Sequence, residues 1–288
     1  MDETLRKLVL RYQKDEITEH HIYARLARAM NSDDNRAVLQ QIADDELRHY
    51  EEWKQYTQTD VKPDQRKIWW YTLLGRTLGV TFALQLMEQG EEGARGHYGE
   101  LVEEVPEAAA ILKDEDQHEE RLLEMLDEES LRYTGSVVLG LNDALVELTG
   151  ALAGLTLALQ DTGLIAVTAA ITGIAASMSM AASAYLSTKA DETSKVPLRA
   201  AMYTGVAYIA TVAVLVVPYL LIESYYGALA VALVLAVLII ASFNYYVSVA
   251  RREPFRKRFL EMTVLSLSIA AVSFGIGYLI NLFFGVDV

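Results

Sequence analysis

Five long apolar stretches in the second half of the chain restrict its fold more than any other feature. The hydrocarbon core of a bilayer is about 30 Å thick, and an α-helix needs about 20 apolar residues to cross it. Five such stretches in half a chain do not fit the buried helices of a soluble protein. The sequence therefore predicts an all-α protein with five membrane-spanning helices, at Ser136–Leu159, Leu164–Ser187, Ala200–Ile222, Ala228–Ser248 and Met262–Phe284.

The first half of the 288-residue chain has a different composition. Residues 1–132 contain 30 Asp/Glu, 17 Lys/Arg and all five histidines, whereas residues 133–288 contain only 9 Asp/Glu and 8 Lys/Arg. This asymmetry predicts two domains in different environments, residues 1–132 and 133–288. The acidic first domain argues against nucleic acid as a partner, because phosphate binding needs clustered Lys/Arg. The absence of cysteine excludes disulfides, zinc–thiolate sites and iron–sulfur clusters.

The loops between the apolar stretches predict the orientation in the membrane. The segments "STKADETSKVPLR" and "RREPFRKR" carry all the Lys/Arg of the second half, whereas "QDTG" and "IESYYG" carry none. Basic loops stay on the cytoplasmic side, so we expect the Lys189–Arg199 and Arg251–Arg258 loops in the cytoplasm. This predicts a multi-pass protein of the cell membrane with a cytoplasmic first domain and a C-terminus outside.

Helical periodicity predicts a four-helix bundle in the first domain, with helices at Thr4–Met30, Asp34–Tyr56, Thr81–Leu101 and Pro106–Glu129. Residues 31–33 offer N-cap candidates for the second helix. The segment between the second and third helices is too long for a hairpin loop, so we expect a crossover there. Its Trp69 and Trp70 either pack under the bundle or lie at a membrane interface, where tryptophan is favoured.

Two Glu-x-x-His pairs, Glu46/His49 and Glu115/His118, predict a metal site in this bundle. Residues three apart share a helix face, so each pair can converge on one ion. Glu16 and Glu91 would supply one glutamate from each of the other two helices, and a tyrosine follows each of them seven residues later. This is the ligand set of di-iron and di-manganese carboxylate proteins. Oxygen and imidazole donors without thiolate favour iron or manganese over zinc. The alternative for any single pair is an ordinary solvated acidic face.

Four motifs in the first domain carry a family resemblance: "DEITEHHIY", "IADDELRHYEEW", "LMEQGEEGARGHY" and "DEDQHEERL". Over nearly all of residues 1–130 the chain resembles the rubrerythrin branch of the ferritin-like superfamily. The resemblance implies a ferritin-like di-iron site. Glu19, His20, His21 and His97 have no counterpart in the family pattern, so they are expected at the surface, with an auxiliary metal contact, above all for Glu19, as the alternative. Rubrerythrins that reduce peroxide carry a cysteine site for electrons, so its absence argues against self-contained peroxidase turnover. The ligands that the resemblance implies are Glu16, Glu46, His49, Glu88, Glu91, Glu115 and His118.

Two carboxylates lie within the first apolar stretch, "GSVVLGLNDALVELTGALAG". Asp143 and Glu147 are four residues apart and share one helix face. Charged residues inside a membrane helix are costly and usually mark a transport pathway. The alternative is that they lie at its cytoplasmic end and contact water. The second stretch, "AASMSMAASAYLSTKAD", contains Met178 and Met180, a residue type that more often fills a core than binds a ligand.

The second domain combines five predicted spans with the motif "NDALVE" in the first and "SMSMAASAYLSTKAD" in the second. In these features residues 133–288 resemble the vacuolar iron transporter family. Its members export ferrous iron, and sometimes manganese, as proton-coupled antiporters that work as dimers. Asp143 and the two methionines match the family pattern, whereas Ala144 and Ala184 replace a glycine and an acidic residue. Glu147 is our candidate for the missing carboxylate.

The two resemblances imply a homodimeric ferrous iron exporter in the lipid bilayer, with iron ions and protons as partners and Mn²⁺ as the alternative to Fe²⁺. Its cytoplasmic domain would capture, sense or oxidise iron. The rival reading is a membrane-anchored ferroxidase or peroxide-scavenging enzyme. An anchor needs only one span and no carboxylates within it, which counts against this rival.

Overall fold

The structure, a computed structural model, describes residues 3–30, 32–92, 107–124, 133–191 and 195–284. Among these, the side chains of residues 91, 92, 107, 123, 124 and 284 lie outside the description. Every regular element within the described ranges is a helix, as the sequence predicts. The chain divides into two compact units, Met1–Glu128 and Glu129–Val288, each of which we describe by itself.

The described part of the first unit contains five helices: α1 (Glu3–Ala27), α2 (Asp33–Thr57), α3 (Gln65–Thr77), α4 (Val80–Glu92) and α5 (Glu107–Glu124). Ser32 is the N-cap of α2, where its side chain accepts a hydrogen bond from the backbone of Asn35, so an N-cap candidate in residues 31–33 is confirmed. The predicted third and fourth helices continue into residues outside the description, so their full lengths stay predictions.

The expected crossover contains a helix of its own, α3. Asp64 starts this helix because its carboxylate accepts hydrogen bonds from the backbone of Arg66 and Lys67. Gly75 lies against Leu26 of α1, where any larger residue would collide with the leucine side chain. Trp69 and Trp70 are 62% and 50% exposed, so they do not pack under the unit.

Helices α1 and α2 form a hairpin and pack along their lengths, and α1 also packs against α3. α2 contacts α5, and α3 contacts α4. A cluster around the fully buried Trp53 joins residues of α1, α2 and α5 into one apolar core, made of Val9, Tyr12, Trp53, Ala108 and Ile111. The metal-site candidates Glu16, Glu46, His49 and Glu115 lie on the same three helices.

The second unit contains the helices α6 (Thr134–Leu159), α7 (Thr162–Ala190), α8 (Pro197–Leu221), α9 (Tyr225–Arg251) and α10 (Phe255–Phe284). All five are long and apolar enough to cross a membrane, which confirms the five predicted spans. Most of them begin or end beyond the apolar run, because polar residues at a membrane surface can continue a helix.

Helix α6 is the innermost of the five, since it packs against each of the other four. Small residues let its neighbours approach closely. A side chain added at Gly140 would meet the backbone of Thr204 in α8, and one added at Gly277 in α10 would meet the backbone of Gly154. The span that contains both membrane carboxylates therefore packs closely against both α8 and α10.

Candidate metal centre

Four of the predicted ligands converge in the first unit. Ligand atoms of Glu16 in α1, Glu46 and His49 in α2, and Glu115 in α5 all lie within 4.8 Å of one another. All four side chains are buried, and His49 is 0% exposed. Three separate helices therefore bring carboxylates and an imidazole to one point, as a metal site requires.

The polar atoms at the centre of this cluster make no hydrogen bonds. They are Oε2 of Glu16, Oε2 of Glu46, Nδ1 of His49 and Nδ1 of His118, and all four are buried. Buried polar atoms are almost always satisfied in folded proteins, and burying a charge without a partner is costly. Cations bound beside these atoms would satisfy them, so this donor set fits a metal.

Glu46 lies between the two histidines. Its Oε2 is 3.6 Å from Nδ1 of His49, and its Oε1 is 3.2 Å from Nδ1 of His118. The two imidazole rings lie 5.9 Å apart between their centroids. Each oxygen of one carboxylate thus faces a different imidazole. His118 joins the site through Glu46.

Each histidine is oriented by an aspartate from the other Glu-x-x-His motif. This aspartate is the residue directly before the glutamate of that motif. His49 Nε2 donates to Asp114 Oδ2 at 3.4 Å, and His118 Nε2 donates to Asp45 Oδ2 at 3.3 Å. These contacts leave the Nδ1 atoms facing the cluster, and such outer carboxylates orient metal-binding histidines in proteins. Arg48 donates to both aspartates at 2.9 Å and so joins the two halves.

Two further contacts fix the glutamates. Trp53 Nε1 donates to Glu16 Oε1 at 3.0 Å, which leaves Oε2 of Glu16 free for a ligand role. Tyr23 of α1 donates to Oε1 of Glu88 in α4 at 3.0 Å. Glu88 is only 3% exposed, so α4 also places a carboxylate in the interior beside α1.

Burial and the crowding of carboxylates shift the pKa values of the clustered residues. Burial, followed by the nearby charge of Glu46, raises the pKa of Glu16 to about 8. Desolvation alone would lower the pKa of His49, but the carboxylates of Glu115, Glu16 and Glu46 outweigh it and raise that pKa well above its ordinary value. The metal-free cluster therefore holds protons at neutral pH, which a bound cation would displace.

The remaining candidates of the first unit lie elsewhere or outside the description. Glu19 is half-buried on α1 and is not one of the four clustered residues. The side chain of Glu91 and the whole of Tyr98 and His97 fall outside the described residues. His20 donates from Nδ1 to the backbone oxygen of Ala43 at 2.6 Å, so it helps to hold α1 on α2.

In the second unit, Asp143 and Glu147 lie well inside α6. At 1.5 Å per residue they are about 14 and 20 Å from its first residue, so they lie in the middle part of the helix and not at its first turn. Tyr208 of α8, which is fully buried, donates to Oε2 of Glu147 at 2.7 Å. Oδ1 of Asn142, next to Asp143, is buried without a hydrogen-bond partner.

The two methionines of α7 occupy different surroundings. Met180 packs against the apolar core of the second unit, as expected for a residue that fills space. Met178 is 70% exposed in the single chain. The structure therefore gives Met180 a packing role and leaves Met178 facing outward.

Residues 134–195 match the family model described as the VIT family. The match covers α6 and α7 and includes the four transport candidates. No curated protein and no solved structure matches the chain. The family match and the five apolar helices together indicate a multi-pass membrane protein that transports metal ions, consistent with iron or manganese as cargo.

Sequence reasoning missed Asp45, Asp114 and Arg48 in the metal centre and Tyr208 in the membrane unit. A signal for the aspartates was present, because each Glu-x-x-His pair is preceded by aspartate, in "DELRH" and "DEDQH". Their pairing across the two motifs, and the contact between Tyr208 and Glu147, join residues more than 60 positions apart. Such contacts depend on the fold.

Proposed function

We propose that the chain is a ferrous iron exporter of the cell membrane, with manganese as the alternative cargo, whose cytoplasmic first unit is a ferritin-like bundle that binds a pair of metal ions. The observation that carries the proposal is the buried cluster of Glu16, Glu46, His49 and Glu115, with its unsatisfied ligand atoms. It is supported by the VIT family match over the first two spans.

The first unit would capture the cation. Glu46 and Glu115 come from the two Glu-x-x-His pairs and would hold the ions together with the imidazoles of His49 and His118. Glu16, Glu88 and Glu91 would complete the set, and Asp45 and Asp114 would orient the histidines. Bound iron would supply redox chemistry at this site, while the residues themselves bind the cation and release their protons. The acidic surface of this unit would raise the local cation concentration.

The second unit would carry the cation across the bilayer. Asp143 would alternate between a metal ion and a proton, because a carboxylate becomes a cation ligand when it loses its proton. Glu147 would share this role, with Tyr208 fixing one of its oxygens through the observed hydrogen bond. This arrangement supports proton-coupled export, in which protons enter as the metal leaves.

We also propose that the chain works as a homodimer. Glu147 and Met178 are exposed on the single chain, and a carboxylate that faces lipid is costly. A second copy placed against these helices would remove that exposure. The positive-inside rule further supports a cytoplasmic first unit and an outside C-terminus.

The test is metal flux in proteoliposomes that contain the full chain. We expect Fe²⁺ transport with opposite proton movement, and loss of both in the isosteric variant Asp143→Asn. Glu223→Gln is the matched control, because it removes one carboxylate from an exposed loop of the same unit. Absence of flux in the unmodified protein, or equal flux in both variants, would refute the transporter proposal.

The alternative function is a membrane-anchored ferroxidase or peroxide-scavenging enzyme. The observation that favours it is the buried cluster itself, because carboxylate bundles of this ligand set hold di-iron centres. Oxygen or peroxide consumption that needs Glu46, in a protein without metal flux, would support this enzyme. Flux without such consumption would support a bundle that captures or senses iron.

A further inference from the structure

The outward face of α3 is apolar and has no covering element among the described residues. Trp69 and Trp70 are 62% and 50% exposed, and Leu73, one turn further on, is 36% exposed. The opposite face is buried through Ile68 and Leu74. α3 is therefore an amphipathic helix, whose inner face holds it to the unit and whose aromatic face is open.

Arginines surround this aromatic face. Arg25 from α1, Arg28 from the turn after it and Arg76 from α3 line a cavity of about 610 Å³ together with Trp69 and Leu73. None of the three arginines forms an ion pair with any other residue that the structure describes. In a unit whose net charge is strongly negative, this local concentration of unpaired positive charge marks a site for an anion.

The hydroxyl group of a residue that lines the same cavity also lacks a partner among the described residues. Oγ1 of Thr72 is buried and makes no hydrogen bond in the described structure, and Thr72 lines the cavity beside the arginines. A hydroxyl group can donate to a phosphate oxygen. The cavity thus combines three guanidinium groups, one unsatisfied hydroxyl and an indole ring.

We call this surface the Trp69 face; it consists of Arg25, Arg28, Trp69, Trp70, Leu73 and Arg76. We propose that the Trp69 face docks on the anionic lipid headgroups of the bilayer that the chain itself spans. Tryptophan is favoured at the headgroup level, and basic residues are attracted to an anionic leaflet. An aromatic face beside basic residues is typical of helices that lie in the membrane interface. The first unit is joined through the chain to the five candidate spans, so it is tethered to this bilayer. The proposal does not depend on the transport mechanism.

The positions of the tryptophans make the proposal directly measurable. The chain has three tryptophans, all in the first unit, and Trp53 is 0% exposed. Tryptophan fluorescence therefore reports only on the first unit, and Trp53 supplies an internal signal that lipid cannot reach. The full chain would be placed in nanodiscs whose lipids carry bromine on the acyl chains near the headgroups, because bromine quenches indole emission on contact.

In discs of brominated phosphatidylglycerol we expect loss of most of the Trp69 and Trp70 emission, and a much smaller loss in brominated phosphatidylcholine. Raising the salt concentration should restore the emission, because salt screens exposed charges. The variant Trp69→Phe/Trp70→Phe should retain only unquenched Trp53 emission.

The variant Arg25→Gln/Arg76→Gln tests the charge contribution. It should lose the quenching in anionic discs while retaining both tryptophans. The matched control is Arg6→Gln/Arg11→Gln, which removes two exposed arginines from the other end of α1 and should be quenched like the unmodified chain.

A dissolved quencher gives a second measurement that does not need the phenylalanine variant. We expect Trp69 and Trp70 to be reached by it in neutral discs and protected in anionic discs. Absence of lipid quenching, equal quenching in both lipids, or unchanged quenching in the Arg25/Arg76 variant would each overturn the proposal. Protection from the dissolved quencher without lipid quenching would also overturn it, because a second copy or a partner protein would then cover the face.

Discussion

Replacing Asp114 by asparagine tests whether the crossed aspartates tune the metal centre. Asp114 accepts from His49 Nε2 at 3.4 Å and from Arg48 at 2.9 Å, and it contributes no atom to the four-residue cluster. Asparagine keeps the size of the side chain but removes its charge. The Asp114 carboxylate orients the His49 ring and makes it a more basic ligand. The asparagine variant loses both effects.

The expected magnitude follows from the geometry. Loss of such an outer partner typically lowers metal affinity about 10- to 100-fold, or about 1.4 to 2.7 kcal/mol. The side chain of Asp114 is 29% exposed, and water screens part of its charge. We therefore expect the lower part of that range, roughly a 10- to 30-fold weaker binding of Fe²⁺.

The assay is calorimetric titration of Fe²⁺ into the full metal-free chain without oxygen. Asp116→Asn is the matched control, because Asp116 lies two residues further along the same helix and is exposed. It removes the same charge from the surface without touching either histidine. Equal affinities for Asp114→Asn and the unmodified chain, or an equally large loss in the control, would refute this reasoning.

Three further predictions concern both units. Burial raises the pKa of Glu16 to about 8, so below that pH a cation must displace the proton of Glu16. The affinity for Fe²⁺ should therefore fall as the pH drops from 8 to 6, by up to about tenfold per pH unit for each proton displaced. An affinity that does not change with pH would contradict this. Tyr208→Phe removes the hydrogen bond to Glu147 and should lower Fe²⁺ flux several-fold at unchanged folding. Gly140→Ala should destabilise the second unit by about 1–3 kcal/mol because its new methyl group meets the α8 backbone. Gly135→Ala meets nothing, so similar melting of the two alanine variants would disprove that packing.

Hydropathy was sufficient to predict the spans, because lipid imposes a simple rule on length and polarity. It underestimated their lengths where polar residues continue the helix, as at Arg251 and across Phe255–Glu261. Helix α3 was missed because its pattern is short and its apolar face is exposed. Its start signal is Asp64, which accepts hydrogen bonds from the backbone of Arg66 and Lys67. This signal lies within the expected crossover.

The convergence of Glu16, Glu46, His49 and Glu115 could be predicted because helix periodicity fixes which residues share a face. The same rule cannot show which outer carboxylate orients which histidine, since that depends on how α2 and α5 are placed against each other. It also cannot separate Met178 from Met180, although one is exposed and the other is packed. The ferritin-like assignment and the complete ligand set stay predictions.

The most direct test of the account is to locate bound iron by anomalous X-ray scattering from crystals of the full chain grown with Fe²⁺ and without oxygen. The account predicts two neighbouring peaks in the first unit, one beside His49 and one beside His118, with Glu46 between them, and no peaks there in the Glu46→Ala variant. Iron bound only at surface carboxylates, or an empty cluster at saturating Fe²⁺, would contradict it.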